Sequence, residues 1–363
     1  MKMFTMTLIL RIKNDCLLKS TFRHPKNLIL IITVYIYIIM TLNFIEVCAG
    51  AGGLSHGFIT SGFTPILLND NDKYCCQTLR LNHSGVEVYE GDMNNIDWSK
   101  YTNIDLVMGG VPCQSFSLAG KRNGITDNRG KLVLSFVSII NKLQPKVFLL
   151  ENVKGLLIHN KGETLKYIIN EFNKIGKYTI SYKVLNANDY DVPQKRERLF
   201  IVGVRKDVGN KFEFPKQSTY KPILRDVLED CPDSQGVQYS KAKYDLFKQI
   251  PEDGCWIDLP KDVQKSYLGK SYDSGGGKRG ILKRLSMNKP SLTLLTTPSQ
   301  KQTERCHPIH TRPLQTLEYA RIQTFPDTYK FAGSVNQIYK QIGNAVPVNL
   351  AKAIAKRIIK VLE

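Results

Sequence analysis

Phe44-Ile45-Glu46-Val47-Cys48-Ala49-Gly50-Ala51-Gly52-Gly53 is the stretch that decides the fold. Residues 44–47 have strand character, a glycine loop follows at once, and residues 54–61 then read as a helix. A strand that enters a helix through glycines brings backbone N–H groups close to a bound ligand. Outward from this point, short apolar runs at 65–68, 86–89, 104–108 and 147–150 alternate with helical stretches at 73–82 and 132–143. That alternation predicts an α/β fold with a doubly wound parallel sheet. The rhythm stops after Val202. Residues 204–311 are rich in Pro, Gly, Ser and Lys and carry only weak strand signals, which predicts a second, smaller, loop-rich domain. Helical periodicity returns at 345–362, so the C-terminus is expected to pack back on the first domain.

The 363 residues hold 51 Lys and Arg against 32 Asp and Glu, a net charge of +19. A composition of 42% hydrophobic and 23% charged residues excludes disordered, collagen-like and coiled-coil chains. The positive excess favours a polyanionic partner, nucleic acid ahead of an anionic membrane surface, although a coding bias toward lysine accounts for part of it. Eight cysteines (Cys16, Cys48, Cys75, Cys76, Cys113, Cys231, Cys255 and Cys306) form no C-x-x-C pair. Neither a disulfide framework nor a metal site is expected, and a reducing, cytoplasmic setting fits. Residues 28–42 are uncharged, but a bilayer span needs about 20 apolar residues and no small-x-small cleavage site follows. The preferred reading makes residues 1–39 an extension ahead of a natural start at Met40. An extra local element and a membrane segment are the alternatives.

Three acids and one cysteine fall at strand ends, where open α/β sheets gather their chemistry. Asp70 ends the second strand, about 20 residues past the glycine loop, where an acid can bind ribose hydroxyls. Asp92 follows the third strand and reads either as an adenine contact or as a helix cap. The loop by itself fits NAD, FAD or S-adenosylmethionine, or a plain tight turn. Gly109-Gly110-Val111-Pro112-Cys113 ends the fourth strand and exposes a thiol that can react as a thiolate. Glu151, in Glu151-Asn152-Val153, brings a carboxylate to the same edge.

Five blocks in this order resemble the cytosine-5 DNA methyltransferase family: residues 44–53, Pro112-Cys113-Gln114, Glu151-Asn152-Val153, Gln194-Lys195-Arg196-Glu197-Arg198, and Gln341-Ile342-Gly343-Asn344-Ala345-Val346-Pro347. The likeness spans residues 43–205 and 312–363. It implies a methyltransferase domain at 40–205 completed by 328–363, a target-recognition domain at 206–327, and S-adenosyl-L-methionine as methyl donor. By the resemblance Cys113 adds to C6 of cytosine, Glu151 protonates N3, and Arg196 and Arg198 contact the base carbonyl and flanking backbone. The cytosine must be flipped out of the duplex for this chemistry.

The donor pocket implied by the family takes in Cys48, Ala49, Gly50, Gly52, Gly53, Asp70, Asn71, Asp92, Met93, Pro112, Leu132, Asn344 and Ala345. Gly343 and Pro347 shape its backbone. Cys48 stands where an aromatic residue is usual, and Asn71 where a large side chain often stacks, so the adenine sandwich is weaker than in the family. Gln114, Ser115, Ser117 and the loop holding Lys121 and Arg122 are implied to close over DNA. In the recognition segment, Lys278, Arg279, Arg284 and Thr293 are the expected DNA contacts, the last within Ser291-Leu292-Thr293-Leu294, which resembles the family's Thr-Leu element. Residues 312–327 are expected to support that domain.

The resulting expectation is a monomeric, cytoplasmic enzyme acting on double-stranded DNA, with a cognate restriction endonuclease as functional partner and no membrane role. An RNA methyltransferase is the second reading, and the long segment 204–311 argues for duplex DNA. A catalytically silent DNA-binding protein conflicts with the intact Cys113 and Glu151, and an NAD oxidoreductase shares only the glycine loop.

Overall fold

The computed structural model describes residues 42–112, 130–273, 280–300 and 304–363. Strand β1 (Asn43–Val47) leads through the glycine loop into helix α1 (Gly53–Ile59). It is followed by β2 (Thr64–Asp70), α2 (Lys73–Asn82), β3 (Glu87–Glu90), β4 (Leu106–Gly109), α3 (Gly130–Leu143), β5 (Val147–Val153) and α4 (Glu163–Lys174). Then come β6 (Tyr178–Asn186), the two-residue β7 (Gln194–Lys195) and β8 (Glu197–Arg205). Seven strands form one sheet in the order β3-β2-β1-β4-β5-β8-β6. The winding reverses beside β1, so a crevice opens at the carboxyl ends of β1 and β4, where Val47 pairs with Gly109.

β1 to β5 pair in parallel, as the alternation predicts. β6 and β8 do not: β8 runs antiparallel to both β5 and β6. The segment joining β6 to β8 is too short for the helical crossover that parallel neighbours need. The central strands are buried on both faces, which explains their mainly apolar sequences. On one face Ile45, Val107, Phe148 and Leu150 pack with Phe136 of α3 and Phe172 of α4. Phe148 and Phe172 stack at 4.3 Å. On the other face Phe44 meets Phe58 of α1.

Beyond β8 the elements are short: α5 (Arg225–Leu228), α6 (Lys241–Lys248), α7 (Lys261–Leu268) and the two-residue strands β9 (Lys283–Arg284), β10 (Ser291–Leu292) and β11 (Arg305–Cys306). β10 pairs with β7, and β11 with β9. Phe247, Ile250, Leu259, Leu268, Leu282 and Cys306 make a separate small core there. Three helices close the chain: α8 (Thr316–Ile322), α9 (Val335–Asn344) and α10 (Val348–Leu362). The expected helix at 345–362 is therefore broken near its start. Pro347 imposes extended backbone on the residues before it and caps α10 instead. α10 packs on α1, so the C-terminus does return to the sheet layer.

Among the described residues no helix is long and apolar enough to cross a membrane. The readings placed on residues 1–39, and on nearly all of the apolar run 28–42, lie outside the described residues. So do those on Cys113, Gln114, Ser115, Ser117, Lys121, Arg122, Lys278 and Arg279.

Candidate functional site

The loop after β1 turns through positive φ at Cys48, Gly50 and Gly52. This aims the Gly50 amide at Asp70, whose Oδ2 accepts it at 2.8 Å. The other oxygen of Asp70 accepts the Asp72 amide, also at 2.8 Å. Two backbone amides thus hold the carboxylate at the end of β2, while burial pushes its pKa above the ordinary aspartate value. Asp92 caps the turn that follows β3 by accepting from the Asn94 amide, as the cap reading expects, and it also faces the cleft.

That cleft has a volume of about 470 Å³. Eleven of the expected donor residues line it: Cys48, Ala49, Gly50, Asp70, Asn71, Asp92, Met93, Pro112, Leu132, Asn344 and Ala345. Gly52 and Gly53 do not. A Cβ on Gly52 would lie 2.7 Å from the Tyr329 hydroxyl, and one on Gly53 would strike the Val346 carbonyl. These two glycines let the loop pack closely against the C-terminal segment.

At the end of β5 Glu151 is 9% exposed, and its Oε1 pairs with Arg198 Nε at 2.9 Å. Burial raises its pKa, and the charges of Arg198 and Arg196 oppose that shift. The next residue, Asn152, donates from Nδ2 to the Val111 carbonyl at 3.0 Å. The bond ties the end of β5 to the chain that leaves β4 toward position 113. Gly110 passes directly over Glu151, where a Cβ would approach Oε2 to 3.4 Å. The site therefore combines a buried carboxyl with a fixed cationic neighbour beneath the β4 loop.

Arg196 departs from expectation. It is 1% exposed and does not line the cleft; its Nη1 donates to the Leu294 carbonyl at 3.1 Å and its Nη2 to the Gly343 carbonyl at 2.8 Å. Burial, then the like charge of Arg198, pulls its pKa well below the usual guanidinium range. Arg284, expected on DNA, is also buried. Its guanidinium donates to the carbonyls of Ile250, His307, His310 and Phe247 and to the Thr311 hydroxyl. Thr293 donates to the Lys195 carbonyl at 2.7 Å, beside the β7–β10 pairing. Both side chains are engaged within the fold, because chain with so little sheet leaves carbonyls that need donors.

Glu46 is the residue that the sequence reading passed over. It lies one residue from the carboxyl end of core strand β1, is 1% exposed, lines the cleft, and leaves its Oε2 without a hydrogen-bond partner. Burial, reinforced by Asp70 and Glu151 and opposed by a Ser55 hydrogen bond, pushes its pKa up to about 8. An unsatisfied buried polar atom costs about 1–3 kcal/mol, so a ligand that satisfies it gains that much leverage. The only signal in the sequence is an acid interrupting an otherwise apolar strand. At the rim, Lys340 of α9 pairs with Asp72 at 2.8 Å, and both line the cleft. Burial raises the Cys48 thiol to about 12, with help from Asp70, Glu46 and Asp92, and raises Cys75 as well. Neither cleft thiol is poised as a thiolate. No group of three or more potential metal ligands occurs among the described residues.

A family model for C-5 cytosine-specific DNA methylases matches residues 42–360. The Type II methyltransferase M.PspPI of Psychrobacter sp. (strain TA137) is 50% identical over 328 residues, 88% of this chain and 79% of that protein. The Type II methyltransferase M.Sau96I of Staphylococcus aureus is 48% identical over 328 residues, 88% of this chain and 76% of that protein. Among solved structures, a prophage-encoded E. coli protein described as a DNA modification methyltransferase superposes with a TM-score of 0.67. The identity is 25%, and the match covers 89% of this chain and 99% of that one.

Proposed function

This chain belongs to the C-5 cytosine-specific DNA methylases and is a DNA cytosine-5-methyltransferase, and on that footing we propose that it works through a covalent Cys113 adduct on a flipped-out cytosine in duplex DNA. Residues 40–205 with 328–363 serve as the catalytic domain and 206–327 as the target-recognition domain. The observation that carries the reading is the Glu151–Arg198 pair, held at the edge of the cleft under the chain that runs toward Cys113.

Cytosine C5 is a weak nucleophile. Attack of the Cys113 thiolate on C6 forms a C–S bond and moves an electron pair toward C5, giving an enamine. Glu151 donates its proton to N3, so charge does not accumulate on the ring. Burial raises its pKa, which favours the protonated form that this step uses. Arg198 holds the carboxyl in place and faces the cleft, where it would meet the base carbonyl. Once C5 carries its new substituent, the C5 proton leaves to a base, the C–S bond breaks, and Cys113 and Glu151 are restored.

S-Adenosylmethionine, when bound, supplies the methyl group from its sulfonium. The cleft suits such a cation: Glu46 offers an unpartnered buried oxygen, Asp70 an amide-anchored carboxylate for ribose hydroxyls, and Asp92 an acceptor for an adenine amino group. We assign the enzyme to the protective half of a restriction–modification system, acting as a monomer in the cytoplasm alongside a cognate endonuclease. The test is a duplex with 5-fluorocytosine at the target position, offered together with S-adenosylmethionine. A denaturing gel should show a protein–DNA adduct that disappears in Cys113→Ala. Tritiated methyl transfer should go to DNA and not to tRNA; transfer confined to tRNA, or no adduct, overturns the proposal. Bisulfite sequencing of host DNA would then read out the target site.

A further inference from the structure

We propose that Arg196 is a positioning residue, which holds the wall of the donor cleft from behind instead of touching the target base. The inference rests on the reading of the cleft as the donor site. α9 ends at Asn344, and the last carbonyls of a helix have no partner within it. Here those carbonyls are met from outside. Arg196 Nη2 donates to Gly343, while Gln323 Nε2 donates to Ile342 at 2.7 Å and to Ala345 at 3.2 Å. A cation at a helix C-terminus is favourable through both the hydrogen bond and the helix dipole. The chain that leaves these bonds, Asn344 to Val346, is cleft wall.

The same guanidinium reaches the recognition segment. Arg196 Nη1 donates to the Leu294 carbonyl, and the Leu294 amide donates to Gln194 Oε1 at 3.0 Å. Gln194 Nε2 then donates to Gln323 Oε1 at 3.0 Å, which closes a ring of three fully buried polar side chains. Arg198, two residues on, faces the cleft and pairs with Glu151. Two arginines of one block therefore do separate work: Arg198 meets the reacting end, and Arg196 sets where residues 343–346 lie and ties them to Leu294.

The test measures S-adenosylhomocysteine binding by calorimetry without DNA, together with steady-state kinetics, on Arg196→Met, Arg196→Lys and Gln323→Met. Arg284→Met is the matched control, being another buried arginine on carbonyls but remote from the cleft wall. Arg196→Met and Gln323→Met should weaken binding about tenfold or more and raise the donor KM with kcat changed only a few-fold. Arg196→Lys should recover part of the loss, and Arg284→Met should bind within about twofold of the parent. Melting curves confirm that each variant is folded. Should Arg196→Met not fold, Arg196→Lys and Gln323→Met decide the matter. A folded Arg196→Met that binds normally but loses kcat places the residue on the base and overturns the inference, as does unchanged binding in Gln323→Met. A parent protein that fails to bind S-adenosylhomocysteine overturns the donor reading itself, which is a distinguishable result.

Discussion

The carboxyl edge of the sheet and the segment at 206–311 use charged side chains in opposite ways. At the sheet edge strand ladders satisfy most of the backbone, and Glu46, Glu151 and Arg198 face the cleft, as does Asp70 while it holds two loop amides. In the later segment the described strands are only two residues long, and the carbonyls there turn to side chains. Arg284 serves four of them, and Glu304, fully buried, pairs with Lys243 at 2.6 Å. A buried charge at the sheet edge therefore points to chemistry, whereas a buried charge in the loop-rich segment replaces secondary structure.

The largest expected effect is at the sheet edge. Glu151→Gln should lower kcat for methyl transfer about a thousandfold while gel-shift binding of DNA persists. Burial raises the pKa of Glu151, and the reaction uses its protonated form, so the parent's rate should fall as pH rises through that pKa. Glutamine should abolish this alkaline limb. A loss under tenfold would mean that the carboxyl is structural, and the contrast would fail.

In the loop-rich segment the corresponding change should act on stability. Arg284→Met leaves several buried carbonyls without donors, and denaturant titration should record a loss of about 3–5 kcal/mol. A loss below 1 kcal/mol would break the comparison from the other side.

Glu46→Gln comes next and should be stabilising. With its folded pKa near 8 against 4.5, Glu46 keeps in the native state a proton that the unfolded chain releases. Parent stability therefore declines as pH rises from about 4.5 to 8. Without donor, the variant should match the parent at pH 4 and exceed it by on the order of 4 kcal/mol at pH 8, measured by melting across that range. Equal stability at both ends would remove Glu46 from the set of functional acids. The smallest effect belongs to Lys241→Ala, which removes an exposed pair with Asp245 on α6. Its melting midpoint should not move measurably, because exposed pairs contribute little.

The parallel half of the sheet is legible because β1, β4 and β5 are buried on both faces and so read as mainly apolar runs beside turn signals. β6 is not. Tyr178-Thr179-Ile180-Ser181-Tyr182-Lys183-Val184 is an outer strand with many half-exposed positions, and its mixed sequence hides the period. β8 reads first as a motif, with a strand carrying surface charge as the alternative reading of Arg196 and Arg198. For the site, acids at strand ends were legible by position. Glu46 was missed because an acid inside a core strand stands out only once the cleft is seen to reach it. The arginines could not be sorted: the carbonyls that hold Arg284 come from residues 23 to 37 positions away.

By itself the sequence determined the strand–helix alternation, the glycine turn and the chemical types at the sheet edge, since each follows from local periodicity and residue chemistry. Only the tertiary structure decided which charges meet the cleft and which meet carbonyls. That choice depends on whether a distant segment brings an unpaired backbone group to a guanidinium before solvent or a ligand can reach it.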